Sequence, residues 1–117
     1  MPQFAYVVLS NPVADHEDQY NDWYSNQHLA DVTAVEGFVS AQRFRLADAE
    51  EEGAPHQRYM AIYTMETDDP ASVVERLTSL VQSGGIHMSE AFSMEDMALH
   101  LYETITPIVA ANPKDRT

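Results

Sequence analysis

Four short runs with strand character and two with helical periodicity follow one another in the order β-α-β-β-α-β, and that order leaves the chain few folds to choose from. "QFAYVVLS" (3–10) is β-branched and aromatic and stops at "NP", as a strand buried on both faces would. Asp15 is placed to cap a helix over 16–33, with Glu17 and Asp18 in its first turn, and Gly37 permits the tight turn that follows. "FVSAQRFRLAD" (38–48) alternates with a strand period, "AEEEGAP" is a solvated loop, and "QRYMAIYTMET" (57–67) is the third strand. Asp69 before Pro70, an apolar stripe of Val73, Val74, Leu77, Leu80 and Val81, and a terminal Gly84 bound a second helix. "IHMSEAFSMED" (86–96) mixes turn and loop signals and is left irregular. "MALHLYETI" (97–105) is the last strand and "TPIVAANPKDRT" (106–117) a tail.

This order is the split βαβ arrangement, two helices on one face of a four-stranded antiparallel sheet. Strands that are apolar on both sides need their second face covered, which predicts a homodimer with facing sheets. At 117 residues the chain suits one domain, 1–117 with 106–117 as its C-terminal tail. A domain of this size hides roughly 65% of its unfolded surface.

Charge and composition remove several classes of function. Nineteen Asp and Glu against six Lys and Arg leave a net charge of −13, which repels phosphate backbones and anionic lipid, so neither nucleic acid nor membrane is expected as a partner. With no cysteine there is no disulfide scaffold, thiolate metal site or cysteine nucleophile. No apolar run approaches the ~20 residues of a bilayer span, and a cytoplasmic protein is the expectation. No metal spacing, phosphate loop or nucleophile elbow is present, so no metal or other cofactor is implied.

The run "YNDWYSNQHLAD" (20–31) concentrates the chemistry. At 3.6 residues per turn Tyr20, Trp23, Tyr24, Gln27, His28 and Asp31 share one inward stripe, with Asp31 three residues beyond His28 and in reach of an imidazole nitrogen. A carboxylate there would fix the ring's tautomer and raise its basicity. The alternative is a core-edge histidine that only seals helix against sheet. From Trp23 to Phe44 the chain resembles the EthD-like branch of the dimeric α+β barrel superfamily. The recurring W-Y-x-x-x-H, then G-F, then R-F, is matched by Trp23, Tyr24, His28, Gly37, Phe38, Arg43 and Phe44. Where that family often carries proline, this chain has Leu29 and Glu36. The resemblance implies a ferredoxin-like α+β fold and a dimeric α+β barrel, and makes His28 the recurrent polar position of a pocket beneath the first helix. Relatives include isomerases, polyketide cyclases, decarboxylases and monooxygenases.

Further candidates follow from strand geometry. His100 and Tyr102 share a face of the last strand, and a helix-covered face would bring them to His28. Tyr6, Val8, Tyr59 and Tyr63 supply walls suited to a flat ring, with core filling as the alternative for each. Arg43 and Arg45 share a face and would match a carboxylate or phenolate, or else make surface salt bridges. Met88, Met94 and Met97 read as gap fillers. Together these predict a cofactor-independent acid/base enzyme on a small aromatic or polyketide-like substrate, with a lean to a lyase that decarboxylates. An isomerase or cyclase, a cofactor-free monooxygenase and a non-catalytic binding module are the alternatives. The catalytic set is His28, Tyr24, Asp31, His100 and Tyr102; the substrate-binding set is Tyr6, Val8, Tyr20, Trp23, Arg43, Tyr59 and Tyr63.

Overall fold

β1 (Gln3–Ser10), β2 (Phe38–Arg45), β3 (Tyr59–Glu66) and β4 (Ala98–Glu103) form one antiparallel sheet in the order β2-β3-β1-β4 in the computed structural model, which describes residues 1–112. Its first crossover is a continuous helix in three parts: α1 (Glu17–Trp23), a π segment (Tyr24–His28) and α2 (Leu29–Thr33). The second crossover holds α3 (Pro70–Ser83), and a 3₁₀ turn (Met94–Asp96) precedes β4. This is the expected ferredoxin-like α+β fold.

Local chemistry sets most boundaries where the residues place them. The Asp69 carboxylate accepts from the Ser72 N–H at 3.2 Å, Pro70 opens α3, and Gly84 closes it at φ 85°. Gly37 is required twice over. It turns the chain into β2 at φ 110°, and a Cβ there would lie 2.6 Å from Cγ2 of Val73 on α3. The expected Asp15 cap is not made. The His16 N–H donates to the Val13 carbonyl at 3.0 Å, closing a turn that puts Asp15 at φ 68°, and no side chain caps α1.

The pleat sends alternate residues to two unlike faces. Tyr6, Val8, Tyr59, Ala61, Tyr63 and Met65 lie buried under the helices. Ala5, Val7, Leu9, Met60 and Ile62 point to the other face and are only partly buried. In β4, Leu99 and Leu101 pair with Val8 and Tyr6 on the helix side, while His100 and Tyr102 pair with Val7 and Ala5 on the open side. The tail from 106 to 112 is exposed, and 113–117 lie outside the described residues. No helix among the described residues is long and apolar enough to cross a membrane.

Candidate active site

The π segment decides what the first helix presents. In a regular helix, residues spaced by four drift by about 40° per step around the axis. Here Tyr20, Tyr24, His28 and Val32, at steps of four, are all buried. The Leu29 N–H donates five residues back to the Tyr24 carbonyl, and this wider turn cancels the drift. Gln27 is therefore exposed, and Val32 takes the inward place that uniform helical spacing assigns to Asp31.

His28 is 6% exposed, stacked on Trp23 with ring centroids 4.5 Å apart and edge-on to Tyr24 at 5.1 Å. Its Nδ1 is buried with no hydrogen-bond partner, so the expected bond to Asp31 is not made. Burial pushes the imidazole down to about 4; the Asp31 charge opposes that shift, while Arg43 and His87 add to it. The ring is neutral at physiological pH, with one nitrogen free to accept a hydrogen bond or a proton.

Beside His28 lies a cavity of about 240 Å³ between the helices and the sheet. Tyr6, Val8, Tyr24 and Tyr63, four of the residues proposed from sequence, line it with His28. The Tyr63 hydroxyl donates to the Tyr24 hydroxyl at 3.2 Å, leaving the Tyr24 hydrogen available to a guest. Burial raises both phenols far above the ordinary tyrosine value, and Arg43 only partly offsets this, so both stay protonated donors. Among the described residues no Asp, Glu, Lys or Arg lines the cavity.

The remaining candidates stand elsewhere. Tyr20 bonds Ser10 at 2.5 Å in the core, and Trp23 gives its indole N–H to the His87 carbonyl at 3.2 Å; neither lines the cavity. Tyr59 bonds the Glu17 carboxylate and accepts from the Asn21 amide at 3.2 Å. The Arg43 guanidinium sits 4.4 Å from the centroid of Tyr24 and does not line the cavity. His100 and Tyr102 are absent because the register of β4 against β1 turns them to the other sheet face. In their place the segment left irregular by sequence (86–96) supplies Met88, Phe92 and Met94, and Met97, the first residue of the expected last strand, joins them. The clustered methionines were the available signal, since flexible thioethers adapt to varied guests as readily as they fill gaps. Thr78 and Gln82, exposed on α3, add polar groups to the lining.

Solved structures with this arrangement are distant in sequence. A monooxygenase-like protein from Shewanella loihica PV-4 superposes with a TM-score of 0.62 at 14% identity, over 92% of this chain and 99% of that one. The haem degrader MhuD from Mycobacterium tuberculosis, described with two haems in its active site, gives 0.61 at 13%, over 91% and 99%. An EthD-like protein from Ralstonia eutropha JMP134 gives 0.55 at 14%, over 91% and 95%. These likenesses establish the fold, a ferredoxin-like α+β fold shared with an EthD-like protein. No curated protein matches the sequence. A family model described as a domain of unknown function, DUF4286, matches residues 3–73, more than half of the chain, and the chain belongs to that family.

Proposed function

We propose that the protein is a cofactor-independent proton-transfer enzyme acting on a small, uncharged aromatic or polyketide-like molecule. The observation that carries this is the pairing, in one apolar cavity, of an unpartnered neutral imidazole with a phenol pair that has a hydroxyl hydrogen to spare. His28 takes a proton from an acidic C–H or O–H of the guest, and the enolate or phenolate oxygen receives the Tyr24 hydrogen bond, which Tyr63 reinforces. Charge develops at the oxygen while the donors are already in place.

Within that class, isomerisation or cyclisation fits better than decarboxylation. Among the described residues no cation lines the site to receive a substrate carboxylate, and an imidazole with a pKa near 4 holds no proton to deliver to carbon at neutral pH. The volume, just below the roughly 300–1,000 Å³ of drug-sized sites, suits one or two fused rings. A haem, which the mycobacterial relative is described as binding, does not fit the described residues, because none of those lining the cavity is a cation to meet its propionates. The open sheet face supports a homodimer as the working form: Val7, Leu9, Met60 and Ile62 form its centre, and Phe44 and Tyr102 flank it at 39% and 58% exposure.

Solvent deuterium exchange tests the assignment without knowing the product. A panel of hydroxylated aromatics and cyclic diketones in D₂O should include one whose carbon-bound hydrogen washes out in a His28-dependent manner. Its kcat/KM should rise with pH through about 4 and stay level to neutrality, since the base is the unprotonated ring. Exchange that is equally fast with His28→Ala sinks the proposal. Oxygen uptake in the same assay would extend it to a monooxygenase, and a Soret band on adding haemin would replace it.

A further inference from the structure

Arg43 is a costly residue for its position. It stands on the helix-covered side of β2, opposite Ala61, in a chain with only six Lys and Arg, and its Nε is buried without a partner. Tyr20, Tyr24 and Tyr59 surround its guanidinium at 5.3, 4.4 and 5.4 Å. Its two outer nitrogens are committed to the first helix. One donates to Asn21 Oδ1 at 2.9 Å, in α1, and the other to Ser25 Oγ at 2.7 Å, in the π segment. The fork thus bridges two residues one turn apart across the junction where the helix changes pitch, with the Tyr24 ring beneath it.

We propose that Arg43 is a positioning residue whose two-pronged contact with Asn21 and Ser25 holds the π turn in place and so keeps His28 and Tyr24 aimed into the cavity. This rests on the cavity being the working site, but the device itself is a property of the ligand-free protein. A π turn is a local excess of one residue, and π turns are uncommon because their wider bonds pack less well than α turns. Without the brace, the segment relaxes toward regular winding, where each residue turns by about 100°. The Leu29–Tyr24 hydrogen bond is exchanged for an ordinary one, and the imidazole leaves its stack on Trp23. Geometry makes the fork the requirement rather than the charge, since one ammonium cannot reach both oxygens in the same way.

The test compares wild type, Arg43→Lys and Arg43→Met without ligand, reading three signals at once. These are the His28 ring titration by NMR, the hydrogen exchange of the Leu29 amide, and carbethoxylation of His28 located by mass spectrometry. Both variants should move the His28 midpoint from about 4 toward the ordinary 6.5, speed Leu29 exchange, and raise carbethoxylation by about tenfold or more. Asp31 and His87, the other charged or titratable groups acting on the ring, are unchanged in each protein. If Arg43→Lys behaves as wild type while Arg43→Met shifts, Arg43 acts through its charge and the brace is refuted. If neither shifts, Arg43 has no hold on His28. Should Arg43→Met not fold, Ser25→Ala removes one prong at an exposed position. It should move all three signals the same way by a smaller amount, and a wild-type result overturns the proposal. Failure to find a substrate counts against the proposed function alone.

Discussion

A histidine stands over each face of the sheet, one on the covering helix and one on β4, and the chain treats the two in opposite ways. His28 is enclosed between helix and sheet, stripped of water and left with an unpartnered nitrogen. His100 stands on the open face beside Tyr102, with ring centroids 6.3 Å apart, among Val7 and Ala5. Burial, with smaller help from Arg43 and His87, turns one imidazole into a weak, neutral base, whereas the other has no comparable enclosure. The same residue type is buried on the helix that packs against one face and exposed on the strand that borders the other.

The largest effect should come from charging the open face. Ile62→Asp at its centre is expected to turn the proposed dimer into monomer, weakening association by about a thousandfold, because an unpaired carboxylate would be buried between sheets. Sedimentation velocity reads this, and an unchanged dimer would show that the copies meet elsewhere. Next is the acid sensitivity that His28 builds into the fold. Unfolded, the ring titrates near 6.5; folded, near 4. Stability from the neutral ring is full above pH 6.5 and is lost as pH falls to 4, because the unfolded chain takes up the proton first, a loss of about 3 kcal/mol. His28→Phe should remove that window in urea melts at pH 7 and pH 4, and a variant that still loses as much would locate the sensitivity in other groups.

Tyr63→Phe is a smaller change. It deletes the hydroxyl that supports Tyr24 and should cost about 1 kcal/mol of stability and about tenfold in affinity for a phenolic guest, by calorimetry. Smallest of all, His100→Ala should alter monomer stability by less than about 0.5 kcal/mol and leave the His28 titration where it was. A shift of the His28 midpoint in that variant would mean the two faces communicate.

The fold was legible because it rests on periodicity and punctuation. Asp69, Pro70 and Gly84 bound α3 where their backbone chemistry dictates, and the strands follow their alternation. His28 and Tyr24 were placed correctly on the inward side because they follow Tyr20 at steps of four, the row that the π turn keeps inward. Asp31 was misplaced because uniform winding was assumed through the π segment, whose extra residue leaves no mark in hydrophobic pattern. His100 and Tyr102 illustrate a different limit. Alternation says that they share a face but not which one, and only the pairing of Val7 with His100 decides it. The segment holding Phe92 and the methionines has little regular structure, so no period could reveal that it helps enclose a cavity.

The π turn also affects how this chain should be aligned with others of its fold. A helix with one residue too many is matched to an uninterrupted helix only by a gap inside the helix, between Tyr24 and Leu29. An ungapped alignment that registers Trp23 and Tyr24 sets His28 against the neighbour of its spatial counterpart. Against a chain whose helix is uninterrupted, residues from Tyr24 onward are therefore compared by superposition.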